Sequence, residues 1–240
     1  MAAVASVLSA VPRIGNVVPG GERHRGPAGE ELLPVIPGLA SLFPEGGLRR
    51  GSTVTVTDSA SLLLALLSGA SRSGAWCAVV GVASLGVVAA SEAGIALDRL
   101  ALVATPGTAW QSVTAALLDA FEMVAVRPPA PASSADARRL AARARERGSL
   151  LVPLGPWEGA DLRLSVTRQN WSGLGDGHGY LRGHQAQIHA EGRGSFARPR
   201  QVRMWLAGEE PADGSSGPAA GPPTAATPRP VVAVAREVVA

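Results

Sequence analysis

The sequence predicts an α/β fold: a mostly parallel sheet flanked by helices and extended by a C-terminal antiparallel meander. Two patterns carry this. Between Thr53 and Leu154, short apolar runs alternate with helical stretches, the pattern of strands covered on both faces by crossover helices. From Asp161 the rhythm changes to three strand-like runs with no helix between them.

The elements follow in order. Thr53–Thr57 (TVTVT) reads as a strand and Ser61–Ser71, rich in Leu and Ala, as a helix. Trp76–Gly81 (WCAVVG) is a strand, followed by a helix from Ser84 to about Ala96. Leu100–Ala104 is a strand, Ala109–Phe121 a helix, Met123–Arg127 a strand, Ala135–Arg147 a helix and Leu150–Leu154 a strand. Leu162–Arg168, Tyr180–Ala190 and Gln201–Leu206 make the meander, and the glycine-rich stretch Ser172–Gly179 reads as a mobile loop.

Around this core, residues 32–207, the sequence predicts a loosely attached arm over 1–31 and a linker over 208–230. The linker is mostly Gly, Pro, Ala, Ser and Thr, with nothing large and apolar to bury. Residues 231–240 form a short apolar tail whose Val231, Val232, Val234 and Val238 read either as an inert end or as a peptide that docks on a partner.

Composition excludes several chemistries. Across 240 residues the 22 basic side chains are all arginine. Without lysine there is no Walker-type phosphate lysine, no Schiff-base lysine and no lysine general base. The pI near 10.3 is a weak pointer to nucleic acid, because the net charge is only +3. The lone Cys77 forbids an internal disulfide and a cysteine zinc cluster, and a cytoplasmic setting is expected. The uncharged stretches Ser73–Ser91 and Leu100–Leu118 are broken by Gly or Pro, so no membrane span is expected. His184 and His189 lie an odd number of residues apart in a strand, point to opposite faces and cannot share an ion; no metal site and no catalytic group are expected.

The loop after the first core strand is the natural anion site of such a fold, since helix N-terminal amides face it. Here it reads Thr57-Asp58-Ser59-Ala60-Ser61, with neither glycine nor lysine, and Asp58 or Ser59 reads as the helix cap. No cofactor is expected.

The run Pro37-Gly38-Leu39, then Phe43-Pro44-Glu45-Gly46-Gly47-Leu48-Arg49-Arg50-Gly51-Ser52-Thr53-Val54, resembles the entry to the core of RecA-type recombinases, where a Gly-Gly-Leu turn leads into the strand before the phosphate loop. Trp76–Val80 falls at the second core strand of that family, Ala96–Leu100 at the connection to the third, Phe121–Val126 at the Walker B strand and Leu162–Leu206 at the meander. The departures are specific. The phosphate loop aligns with Asp58–Ser61, the catalytic glutamate with the neighbourhood of Ala83 and the metal-side aspartate with Arg127, a charge reversal. The DNA-gripping loops are reduced to Arg127–Ser134 and Gly155–Gly159.

This loss pattern resembles the ImuA-type accessory proteins of actinobacteria. The resemblance implies a RecA-like, non-catalytic adaptor in damage-induced mutagenesis, working beside polymerase-like partners. Two further readings stay open: a residual ATP binder using Arg49, Arg50 and Arg127, and an inhibitor capping a recombinase or cell-division filament through an exposed sheet edge.

Two arginine surfaces stand out. Arg139, Arg143 and Arg147 recur every four residues opposite an apolar face of Ala137, Leu140, Ala141 and Ala144. This stripe reads as a site for phosphates or an acidic partner, or as a solvated face. The meander interleaves Arg163, Arg168, Arg182 and Arg203 with Trp171, Tyr180 and Trp205, the combination that holds single-stranded nucleic acid weakly and without sequence preference. The alternative is that Trp171 and Tyr180 pack across a hairpin.

Overall fold

The structure, a computed structural model, describes residues 32–57, 59–175 and 178–208, with the backbone alone for 174–175 and 178–182. The predicted arm, nearly all of the linker, and the tail valines 231, 232, 234 and 238 lie outside the described residues.

A short ribbon, β1 (Leu32–Pro34) with β2 (Gly47–Arg49), encloses the single-turn α1 (Pro37–Ala40). Next come β3 (Val54–Thr57), α2 (Ala60–Arg72), β4 (Cys77–Val80), α3 (Val87–Glu92), β5 (Leu100–Val103), α4 (Trp110–Ala120), β6 (Met123–Val126), α5 (Ser134–Arg147) and β7 (Leu150–Pro153). The meander is β8 (Leu162–Gly175), β9 (His178–Gly192) and β10 (Arg200–Ala207).

Strands β5-β4-β6-β7 are parallel, β3 pairs in parallel with β8, and β8, β9 and β10 are antiparallel. Two isolated bridges, Thr53↔Leu151 and Val56↔Leu154, join β3 to β7. The strands therefore run in the order β5-β4-β6-β7-β3-β8-β9-β10.

Alternation along each strand builds two cores. Cys77, Val79, Met123, Ala125, Leu150 and Val152 face a cluster with the leucines of α2, while Ala78, Val80, Val124, Val126 and Leu151 face α4 and α5. In β3 the division falls between residue types: Val54 and Val56 enter the larger core, and Thr53 and Thr55 face the other way. Thr55 Oγ1 lies 2.8 Å from the Gly155 carbonyl and 3.1 Å from that of Pro153, so the buried hydroxyl is satisfied. The apolar α4–α5 layer thus ends at β7, and from β3 outward this side of the sheet is polar.

Two expectations need correction. The helix placed over Ser84–Ala96 is confined to Val87–Glu92, because Gly86 precedes it and Gly94 at φ +87° stops it. The stretch read as a mobile loop, Ser172–Gly179, is largely strand: β8 runs to Gly175 and β9 starts at His178, so the ladder continues nearly to the tip.

Candidate functional site

Parallel strands direct their carboxyl ends to one edge, where ligands of such folds bind. At that edge the connection from β3 to α2 is only Asp58 and Ser59. Ser59 is extended and 8% exposed, and its hydroxyl accepts the Leu62 N–H at 3.2 Å, which makes it the cap. A two-residue link whose side-chain oxygen already takes a helix amide has no length left to wrap a phosphate.

Ala83 is exposed beyond β4, and Arg127 directly follows β6, its N–H donating to the Val80 carbonyl at 2.8 Å. Gly81 must be glycine: at φ +76° a Cβ would lie 2.1 Å from the Arg127 carbonyl oxygen. The arginines offered for a residual nucleotide binder start from opposite ends of the strands. Gly51 N–H donates to Ser149 O at the start of β7, whereas Arg127 follows the far end of β6, whose Val126 is in register with Pro153 of β7. Arg49 and Arg50 are thus separated from Arg127 by the length of a strand, about 13 Å at 3.3 Å per residue.

The α5 stripe is divided. Arg143 donates to both Asp119 oxygens, Nε to Oδ1 and Nη2 to Oδ2, each at 2.7 Å, and Arg147 Nε lies 3.0 Å from Oδ1. These hydrogen bonds raise the already high pKa of Arg143. Arg139 alone stands out, its side chain 76% exposed and 3.8 Å from Asp136. Two of the three arginines therefore serve to fasten α5 to α4.

The meander is divided differently. Its inner face carries Leu164, Val166, Ala186 and Ile188 against the larger core. Towards the hairpin tip the same face carries Gln169, Trp171 and His184: Trp171 pairs with His184, the rings stacking at 3.8 Å and 2°. His184 is 2% exposed, its Nε2 lies 3.2 Å from Gln169 Oε1, and its Nδ1 has no partner among the described residues. Burial pushes its pKa below the usual 6.5. The partner of Trp171 is thus His184 rather than Tyr180, and Trp171 remains 49% exposed.

The outer face is a polar grid. The pairs Asn170–Gln185–Trp205 form one row across β8, β9 and β10, Arg168–Gln187–Arg203 the next, Ser165–His189–Gln201 the third, and Arg163–Glu191 the fourth. Arg168 reaches this face through a bulge in β8, where the extra Thr167 reverses the alternation and its hydroxyl donates to Gln187 O at 3.2 Å. Arg163 faces Glu191 at 3.8 Å. Arg168 and Arg203 are exposed and make no ion pair among the described residues. The Arg182 side chain lies outside the described residues.

Of the predicted meander residues, the fold therefore gathers Arg163, Arg168 and Arg203 and sets Trp171 on the opposite face. Asn170, Gln185 and Gln187 complete the grid and were not singled out by sequence reasoning, since amides on strands carry no motif.

Among the described residues there is no group of three or more His, Cys, Asp or Glu placed to hold a metal ion, and no helix long and apolar enough to cross a membrane. Cys77 is buried, and desolvation pushes its thiol up to about 12.

A family model described as the MT3502 N-terminal domain matches residues 41–159, from the end of α1 to the loop after β7. The uncharacterised protein Rv3395c of Mycobacterium tuberculosis is 36% identical over 129 residues, 52% of this chain and 63% of that relative. The match thus spans less than two thirds of the relative's length. The crystal structure of SulA from Pseudomonas aeruginosa has a TM-score of 0.36 and 24% identity, covering 43% of this chain and 98% of that one.

Proposed function

We propose that this chain is a RecA-like adaptor without catalysis, working in the cytoplasm in DNA repair and damage-induced mutagenesis beside polymerase-like proteins. The observation that carries this reading is the two-residue link between β3 and α2, closed by Ser59, in an α/β sheet. Where a recombinase needs a glycine-rich loop and a lysine, this chain has a capped turn and no lysine anywhere. Loss of the pocket leaves a rigid scaffold with surfaces. The ImuA-type resemblance supplies the setting.

Titration calorimetry with ATP and magnesium tests the first half: no heat of binding is expected, and micromolar binding would overturn the reading. Capture from cells with damaged DNA, using the full chain as bait, tests the second. Polymerase-like proteins are expected, while recombinase or division-filament subunits in their place would favour the capping reading. Removal of Arg229–Ala240 is expected to weaken capture; unchanged capture would eliminate the tail as the docking peptide.

A further inference from the structure

We infer that the outer face of the β8–β9–β10 meander is a binding face for single-stranded nucleic acid, with Arg168 and Arg203 as its phosphate anchors and the row beside them as its base platform. The inference deepens the adaptor reading and rests on it for its biological setting, but the face is argued from its own geometry.

Arg168 and Arg203 both oppose Gln187, one on each side of β9. Alternate strands of a sheet lie about 10 Å apart, so the two guanidinium groups start from backbone positions two strand spacings apart. Both are exposed, and no carboxylate among the described residues neutralises either. The complement of such a pair is an extended anion that spans them.

The neighbouring row, two residues along β9 and about 7 Å away, holds Asn170, Gln185 and Trp205. Trp205 lies over Gly183, where a Cβ would meet Cζ3 at 2.6 Å, so glycine lets the indole lie against the backbone. The half-buried ring and two amide side chains offer what bases use: a stacking surface and donor and acceptor groups for base edges. An acidic peptide would engage the arginines but leave the indole and amides unused. A duplex exposes its phosphates but keeps its bases stacked within. Single-stranded nucleic acid uses both rows.

The experiment is fluorescence anisotropy of the full chain with labelled oligo-dT and oligo-rU, with a DNA duplex as competitor, over a series of salt concentrations. Wild type is expected to bind both single strands with a negative salt slope and to be displaced poorly by duplex. R168E/R203E is expected to weaken binding at least tenfold and to flatten the slope of log K against log salt by about 1.4, at roughly 0.7 per single-strand phosphate contact. W205A is expected to weaken binding roughly tenfold, and W205F to restore most of it by keeping a ring. Arg138→Glu, at an exposed arginine of α5 outside the Arg139–Arg143–Arg147 stripe, is expected to change nothing. Circular dichroism checks that each variant folds. Absence of binding by wild type, equal binding by R168E/R203E, equal loss in R138E, or tighter binding of duplex would each overturn the inference. A face that binds no nucleic acid while polymerase-like proteins are still captured would overturn this inference and leave the adaptor reading standing.

Discussion

Arg143 of α5 grips Asp119 of α4 through two parallel hydrogen bonds of 2.7 Å each. The geometry is that of a forked guanidinium on a carboxylate, and Arg147 adds a third contact at 3.0 Å. Asp119→Ala is expected to lower the melting temperature and to leave two arginines repelling each other along one helix face. The loss should shrink in high salt, which screens that repulsion. A melting curve of Asp119→Ala that matches wild type at low salt would show that the clamp contributes nothing.

Gly69 lies in the middle of α2, where alanine would ordinarily gain about 1 kcal/mol of helix propensity. Here a Cβ would stand 2.5 Å from Val35 Cα and 2.7 Å from the Pro34 carbonyl. Both are backbone atoms and cannot swing aside. Gly69→Ala is therefore expected to destabilise the protein by about 1–3 kcal/mol, as overpacking does. Urea unfolding measures it, and a variant as stable as wild type would refute the close approach.

The fold class was legible because its signals are local. TVTVT separates Val54 and Val56 from Thr53 and Thr55, and WCAVVG is apolar throughout because β4 is covered on both faces. The surfaces were less legible, for one physical reason. Strict alternation along β8 puts Arg163 and Trp171 on one face and Arg168 on the other, and the bulge at Thr167 inverts this beyond Val166. No residue type announces a bulge. The α5 stripe was correctly periodic, but periodicity does not show that Asp119, from another helix, occupies two of its arginines.

His184 should make stability depend on pH. Its folded-state pKa lies below 6.5 because burial disfavours the charged ring, so between those two values the unfolded chain binds more protons than the native one. The contribution is complete above about pH 6.5 and is lost as pH falls through the folded pKa. Protonating Nδ1 would bury an N–H with no acceptor among the described residues. Wild type is expected to lose melting temperature between pH 7 and 5 more steeply than His184→Gln. Parallel curves for the two proteins would rule out His184 as the source.

Cys77 sits in β4 with its thiol pushed up to about 12 by desolvation and, secondarily, by the nearby Glu122 carboxylate. The thiolate is the reactive form, so the native protein is expected to resist thiol reagents at pH 8 and to react fully once unfolded in urea. Rapid labelling of the native protein would show that β4 opens to solvent.

Ser59 offers the sharpest test of the link between β3 and α2. If its hydroxyl is only the cap of α2, Ser59→Ala should cost about 1 kcal/mol, and Ser59→Gly or Ser59→Asp much less, since glycine and aspartate both suit the cap position. None of these changes should alter the calorimetric response to ATP and magnesium. A loss confined to nucleotide binding, with stability unchanged, would mean that the hydroxyl holds a phosphate rather than the Leu62 amide. The urea midpoints of the three variants thus test the cap, which tolerates aspartate well, while the calorimetry tests a phosphate contact, which would tolerate aspartate worst.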